Sequence, residues 1–290
     1  MDSATLLSLD DRLPLTCTRS GTCCHGKHVW VSPWEVACLA RALGISPRAL
    51  RERALEAGGI RLRMDGASRW RELPACALYV DGHGCSAHAG RPLACRLYPL
   101  GRQLQAGDAG YFHHGSDFPC LDGCPSVVTL PYLSVAEYLA GQGVAPGQAA
   151  QAAGLELVQH LADGAFVLLL ESGLAASGDR KTLRRWRALG VMTPEERAAA
   201  IPTEWLDRLT VPDLDPALID EPRAFVARHE ALLQAEAQAR FASLSDAAGL
   251  RDASSLMLAL ALHLARALGA EPHELTARWV ATAKSHGAQD

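Results

Sequence analysis

Residues 17–26 read CTRSGTCCHG. Two adjacent cysteines, Cys23 and Cys24, follow Cys17 within seven positions, with Gly21, His25 and Gly26 beside them. The chain has nine cysteines, at 17, 23, 24, 38, 76, 85, 95, 120 and 124, and none beyond. Apart from Cys38 they read C-x5-CC, then C-x8-C-x9-C after 51 residues, then C-x3-C after 24 more. Thiolates are soft ligands suited to zinc and to iron–sulfur clusters. Eight of them suffice for two four-thiolate sites, or for one site and several reactive thiols. Cys38 falls inside a predicted helix, one turn after Trp34, and reads as a small apolar core residue.

Adjacent side chains on extended backbone point to opposite faces, so Cys23 and Cys24 serve one ion only if the loop bends. Gly21 and Gly26 permit such turns. Arg19, Lys27, Arg91, Arg96 and Arg102 lie in the same segments, where cations offset thiolate charge and lower thiol pKa. Metal-free, the vicinal pair would be reactive and would suit redox or thiol-transfer chemistry. His25, His83, His88, His113 and His114 are further candidate ligands, although a loop histidine is more often an ordinary surface residue. Cys120-x3-Cys124 would open a radical S-adenosylmethionine motif, but the third position holds Val127 and the motif is broken. No G-x-S-x-G elbow and no glycine-rich phosphate loop in strand–helix context is present.

The elements around these residues can be read from their caps. Ser32-Pro33-Trp34-Glu35 is a capping box with proline at the first helical position, and the helix it starts should end at Gly44. Glu35 is thereby a cap rather than a catalytic carboxylate. Ser46-Pro47 starts a second helix, expected to end near Gly58-Gly59. Residues 60–124 are rich in Gly, Pro, His and Asp, which predicts loops with short strands near RLRM and CALYV. Ser134 caps a short helix, and GQGVAPGQAAQAAG (141–154) reads as a linker grading into a helix. Further helices are expected at Thr193-Pro194, Thr203-Glu204, 223–243, along the stripe Leu256, Leu260, Leu264 and Leu268, and from Pro272. His160, His229, His263 and His273 fall in helices, at no metal-ligand spacing.

The 290 residues carry a net charge of −4, with 49% apolar and 21% charged residues. Residues 1–135 hold 14 basic against 12 acidic side chains, so neither nucleic acid nor an anionic membrane is an expected partner. The first residues have no signal-peptide pattern, and the longest apolar run, AFVLLL at 165–170, predicts a buried strand or short core helix, not a membrane span. The chain is expected in the cytoplasm, where thiols stay reduced, and nine cysteines cannot all pair.

TCTRSGTCCHG, SPWEVACLARALGIS and PACALYVDGHGCSAHAGRPLACRLYPLG together resemble the bacterial YkgJ-like cysteine-cluster family of the CxxCxxCC type, over roughly residues 15–125. Cys17, Gly21, Cys23 and Cys24 match its first motif; Cys76, Cys85, Arg91, Pro92, Cys95, Arg96, Tyr98 and Pro99 match its second. Ser20 stands where the family often has a further cysteine, and Cys120 and Cys124 are candidates to complete the ligand set. The resemblance implies chelation of zinc or iron. The layout is also similar to that of flagellin lysine N-methylases, which implies a [4Fe–4S] cluster used with S-adenosylmethionine.

The expected fold is mainly α: a small loop-rich cysteine-cluster metal domain (1–135), a linker and short helix (136–154), and an all-helical domain (155–290). Cys17, Cys23, Cys24, Cys76, Cys85, Cys95, Cys120 and Cys124 are the expected metal ligands, with Arg91, Arg96 and Tyr98 around the cofactor. The expected function is a cysteine-ligated iron–sulfur protein with methyltransferase-like chemistry on a protein lysine or a small molecule. The alternatives are a structural zinc module whose helical half binds a protein partner, or metal storage and delivery.

Overall fold

The Ser32 hydroxyl accepts the Glu35 N–H while the Glu35 carboxylate accepts the Ser32 N–H, so helix α1 (Pro33–Leu43) begins at the capping box and ends at Gly44, whose φ is 66°. This computed structural model describes residues 6–15, 21–105, 108–113 and 131–290. Helix α2 (Pro47–Ala54) is shorter than its composition predicts. Leu55–Glu56 (β2) leaves the helix to pair antiparallel with Arg61–Leu62 (β3). The turn between them carries Gly58 at φ 69°, where a Cβ would meet Ala198 at 2.6 Å. Only glycine lets this turn approach the helical half so closely.

The rest of the first region is built of small antiparallel pairs: Gly66–Trp70 (β4) with Leu73–Ala75 (β5), Tyr79–Val80 (β6) with Gly84–Cys85 (β7), and Leu100–Gln105 (β8) with Asp108–His113 (β9). Arg12–Pro14 (β1) pairs with Tyr132–Ser134 (β10) and closes the region on itself. A short helix, α3 (Leu93–Leu97), precedes β8. Two-stranded pairs are marginal alone, so loop–loop bonds and side-chain packing must hold this region.

Helix α4 (Val135–Gln142) starts at a second capping box, Ser134 with Glu137, and stops at Gly143. Residues 141–154, read above as linker, hold the end of α4 and the first turns of a 22-residue helix, α5 (Ala145–Phe166). The AFVLLL run is no strand or separate short helix: it ends α5 and continues as a π-helical turn, Val167–Glu171. Ala145–Glu171 is long and apolar enough to cross a membrane by length and composition alone. Here it packs against α9 and α10.

The remaining helices are α6 (Lys181–Val191), α7 (Pro194–Ala200), α8 (Thr203–Thr210), α9 (Pro222–Phe241), α10 (Ala247–Ala267) and α11 (Pro272–Ser285). Asp246 caps α10 by accepting the Ala248 and Gly249 N–H groups. The predicted leucine stripe is part of a wider buried surface, since every residue from Leu258 to Ala265 is buried. Helix α10 is therefore the central rod, packed on α5, α6, α7, α8 and α11. The described chain is mainly α, a loop-rich cysteine region followed by helices.

The two regions share a core. Ala37, Ala57 and Ile60 pack with the residues of α5 and α10. The Trp34 indole donates to the Ile219 carbonyl at 3.0 Å, and the Arg51 guanidinium pairs with Asp207 at 2.7 Å. A separate small cluster, Leu93, Leu97, Leu100, Tyr111, Val135 and Tyr138 among its members, backs α3.

Candidate metal centre

Cys23 and Cys24 lie on a single 3-10 turn, Thr22–Cys24. Gly21 opens it at φ 80°, where any Cβ would sit 2.3 Å from the Tyr79 ring. The Cys24 N–H donates to the Gly21 carbonyl at 2.9 Å, and the Cys24 carbonyl accepts the Cys76 N–H at 2.7 Å. The turn is thus tied by backbone to the second cysteine segment. Cys85 on β7 pairs with Tyr79 on β6, and the Tyr79 N–H returns to the Cys76 carbonyl at 2.9 Å. Cys95 lies at the middle of α3.

These local devices bring five of the predicted ligands together. Cys23, Cys24, Cys76, Cys85 and Cys95 all line one cavity of about 330 Å³, with Lys27, Arg91 and Tyr98 in the same wall. None of the described cysteines forms a disulfide. Cys17, Ser20, Cys120, Cys124 and His114 lie outside the described residues. Among the described residues, no three Cys, His, Asp or Glu side chains converge closely enough to grip a single ion. The thiols instead surround a space.

Their electrostatics differ sharply. A hydrogen bond from Cys24 holds the Cys23 thiolate down to about 6 against the opposing effect of burial, with Lys27 and Arg91 adding positive potential. The same bond, then burial and the neighbouring Cys23, Cys95 and Cys76 thiols, push Cys24 up. Burial pushes Cys76 up to about 11, and it pushes Cys95 up with Cys76, Cys85 and Cys23 adding. Packed thiols resist simultaneous ionisation, so a full thiolate set forms only with a cation to compensate it. A cationic group of that kind fits this donor set.

The basic residues take separate places. Arg91 donates to the His88 carbonyl at 3.2 Å and to Gln142 Oε1 at 3.2 Å while facing the cavity. Arg96 bonds the carbonyls of Arg91 (2.9 Å), Gln142 (3.0 Å) and Ala89 (2.6 Å), clamping the loop before α3 to the end of α4; it does not line the cavity. The Lys27 ammonium sits 3.3 Å from the centre of the Tyr98 ring. His25 is buried, its Nδ1 3.0 Å from the Gly21 carbonyl and its ring edge-on to Tyr79. It buttresses the turn from outside the cavity wall. His28 and His88 line the cavity.

Cys38 stands apart from the cavity wall, its thiol pushed up to about 12 by burial and then by Glu35. Gly90 packs on its backbone: a Cβ there would lie 2.3 Å from the Cys38 carbonyl oxygen. Glu35 does more than cap α1. Its Oε2 accepts the Ser32 N–H at 2.7 Å, and its Oε1 accepts the Leu93 N–H at 2.7 Å, at the start of α3. Burial raises its pKa despite these donors. The capping motif is visible in sequence, but the second oxygen's partner, 58 residues on, is not. Gln151, Leu268 and Gly269 of the helical half also reach the cavity, and no local pattern marks them.

Residues 16–112 match the family model named CxxCxxCC, described as "Putative zinc- or iron-chelating domain". This segment is a CxxCxxCC domain. It takes in the five cavity cysteines together with Arg91, Arg96 and Tyr98, and leaves the helical half unmatched. No curated protein and no solved structure matches the chain significantly. The match covers about a third of the chain and supports a cysteine cluster of the zinc- or iron-chelating type in that segment.

Proposed function

We propose that the cysteine region holds an iron–sulfur cluster of the [4Fe–4S] type, its four thiolate ligands drawn from Cys23, Cys24, Cys76, Cys85 and Cys95, with Cys17, Cys120 and Cys124 as further candidates. One observation carries the choice of iron over zinc: five thiols ring a cavity of about 330 Å³ without three of the described ligands meeting at a point. A tetrahedral zinc–thiolate site, with bonds near 2.3 Å, needs its sulfurs only about 3.8 Å apart. A polynuclear cluster takes sulfurs spread around a larger space, which thiols lining one cavity can supply. The vicinal pair also suits a group with several metal atoms, since each sulfur can serve a different one.

The residues around the thiols have roles of their own in this reading. Lys27 and Arg91 supply positive potential beside Cys23. Arg96, through its three carbonyl bonds, fixes the loop that leads into α3 and so aims Cys95. When bound, the cluster supplies redox or Lewis-acid chemistry at iron. The cavity continues past the thiols to Leu93, Leu97, Gln151 and Leu268, leaving room beside the ligands for an organic molecule. Methyl transfer from S-adenosylmethionine to a protein lysine or a small molecule is the reaction to test first, on the resemblance in layout to flagellin lysine N-methylases. A protein partner would dock on the helical half, and the reduced thiols suit the cytoplasm.

The test is purification without oxygen, followed by a visible absorption spectrum and analysis for iron, sulfide and zinc. A brown protein with near-equal iron and sulfide supports the proposal. A colourless protein with one or two tightly held zinc ions replaces it with a structural zinc module, and variable loading replaces it with storage or delivery.

A further inference from the structure

Trp30 and His28 border the cysteine cavity on one side and a second cavity, of about 570 Å³, on the other. Arg61, Arg197, Arg266 and His273 line the second one. Its three guanidinium groups are not equivalent. Arg61 pairs with Glu56 at 2.7 Å and Glu195 at 2.6 Å, and Arg266 pairs with Glu271. Among the described residues Arg197 has no such partner. It is 1% exposed, and it donates only to the Leu189 and Met192 carbonyls, at 3.2 and 2.8 Å, where α6 ends. Its Nη1 has no hydrogen-bond partner among the described residues. The charged group that acts on it is another cation, Arg266, and with burial this lowers its pKa to about 10. The nearby His263 is buried and neutral, with neither ring nitrogen bonded among the described residues, so it offers no counter-charge.

A buried cation without an anion is costly, and helix-end carbonyls offset only part of that cost. Arg197 is therefore the one guanidinium of the wall with no carboxylate in contact among the described residues, although Glu56, Glu195 and Glu271 equal the three arginines in number. Around it the lining mixes charged groups with an apolar surface. The Arg266 and Arg61 guanidinium carbons lie 4.4 and 5.3 Å from the centre of the Trp30 ring, and Met192, Pro194 and Pro272 complete the surface. One charge favours a monoanion over a phosphate dianion, since Glu271 already lies at the site and would repel a second negative charge. Guanidinium groups match the planar fork of a carboxylate.

We propose that this second cavity binds a small monocarboxylate with a flat apolar body, its carboxylate held by Arg266 over the buried charge of Arg197 and its body resting on Trp30. The site is separate from the thiols, so it stands whether they hold iron or zinc.

The test uses the full chain with its metal bound. Benzoate is titrated by calorimetry, against inorganic phosphate and chloride at matched ionic strength. Saturable one-to-one benzoate binding, tighter than phosphate, is expected, and Arg266→Met should weaken it at least tenfold with metal content unchanged. Arg197→Met should weaken it as much; if that variant does not fold, Arg266→Met alone decides. Absence of saturable benzoate binding, phosphate binding more tightly than benzoate, or unchanged affinity in Arg266→Met would overturn the proposal.

Discussion

The carboxylate of Glu35 joins two helix starts: one oxygen accepts the Ser32 N–H of its own cap, and the other accepts the Leu93 N–H at 2.7 Å. Leu93 is the first residue of α3, two positions before Cys95. A side chain in α1 therefore fixes the helix that carries one of the cavity thiols. Glu35→Ala would leave the Ser32 and Leu93 donors buried without an acceptor, at a cost of about 1–3 kcal/mol for each. Glu35→Gln keeps one acceptor but turns an NH2 group toward the other donors, and should cost less. Urea unfolding of the metal-loaded protein should rank wild type above Gln above Ala. Metal retained after desalting should fall in the same order. Unchanged metal retention in Glu35→Ala would show that α3 is held without this bond.

The cysteines divide by position. Cys23→Ser and Cys95→Ser each remove a thiol from the cavity wall and should lose metal, with loss of folded structure in the CxxCxxCC domain, because ligand bonds supply folding energy to so small a core. Cys38→Ala lies outside that wall and should keep full metal content, with a stability cost of about 1 kcal/mol for a small cavity. Elemental analysis of the three variants, purified alike, checks this. Full metal content in both serine variants would remove these thiols from the ligand set.

Two buried histidines make the helical half acid-sensitive. Burial holds His229 down to about 4 even though its ring bonds the Arg208 carbonyl, and burial together with Arg197 holds His263 down to about 3. Both are depressed relative to the unfolded chain, which takes up these protons near pH 6.5. The unfolded state thus binds more protons between pH 6.5 and 4. Stability is fully present above that window and falls as pH drops through it, by about 1.4 kcal/mol per pH unit for each group. Neither nitrogen of His263 has a partner among the described residues, so His263→Leu should preserve stability at pH 7.5 and flatten the fall. Urea midpoints at pH 7.5 and 5.5 for wild type and variant provide the check. Parallel falls in the two proteins would exclude His263 as a source.

Where a local signal also decides the tertiary structure, it is legible in the sequence. The Ser32, Ser134 and Thr193 caps, with Glu or Gly at the right offsets, start α1, α4 and α7 as read. Helix α5 was hidden by its own glycines. Gly154 reads as a helix breaker, yet Leu268, just past the end of α10, packs where its Cβ would be, at 3.0 Å, and Gly147 faces Leu93 in the same way. Close helix approach, not turn chemistry, requires them. The β8–β9 hairpin was hidden among glycines and polar residues, and α2 is cut short by the pairing of β2 with β3. The cysteine spacing predicts a ligand set, and the structure places five of its members on the wall of one cavity. The Glu35 bond to Leu93 and the Arg96 bonds to three carbonyls depend on contacts distant in sequence, which no spacing encodes.

X-ray absorption at the iron and zinc edges of protein purified without oxygen bears most directly on the thiol-ringed cavity as a cluster site. The expected result is an iron signal with a first shell of sulfur at about 2.3 Å and a second shell of iron. A zinc signal with four sulfurs and no metal neighbour, or a first shell of nitrogen and oxygen, would contradict it.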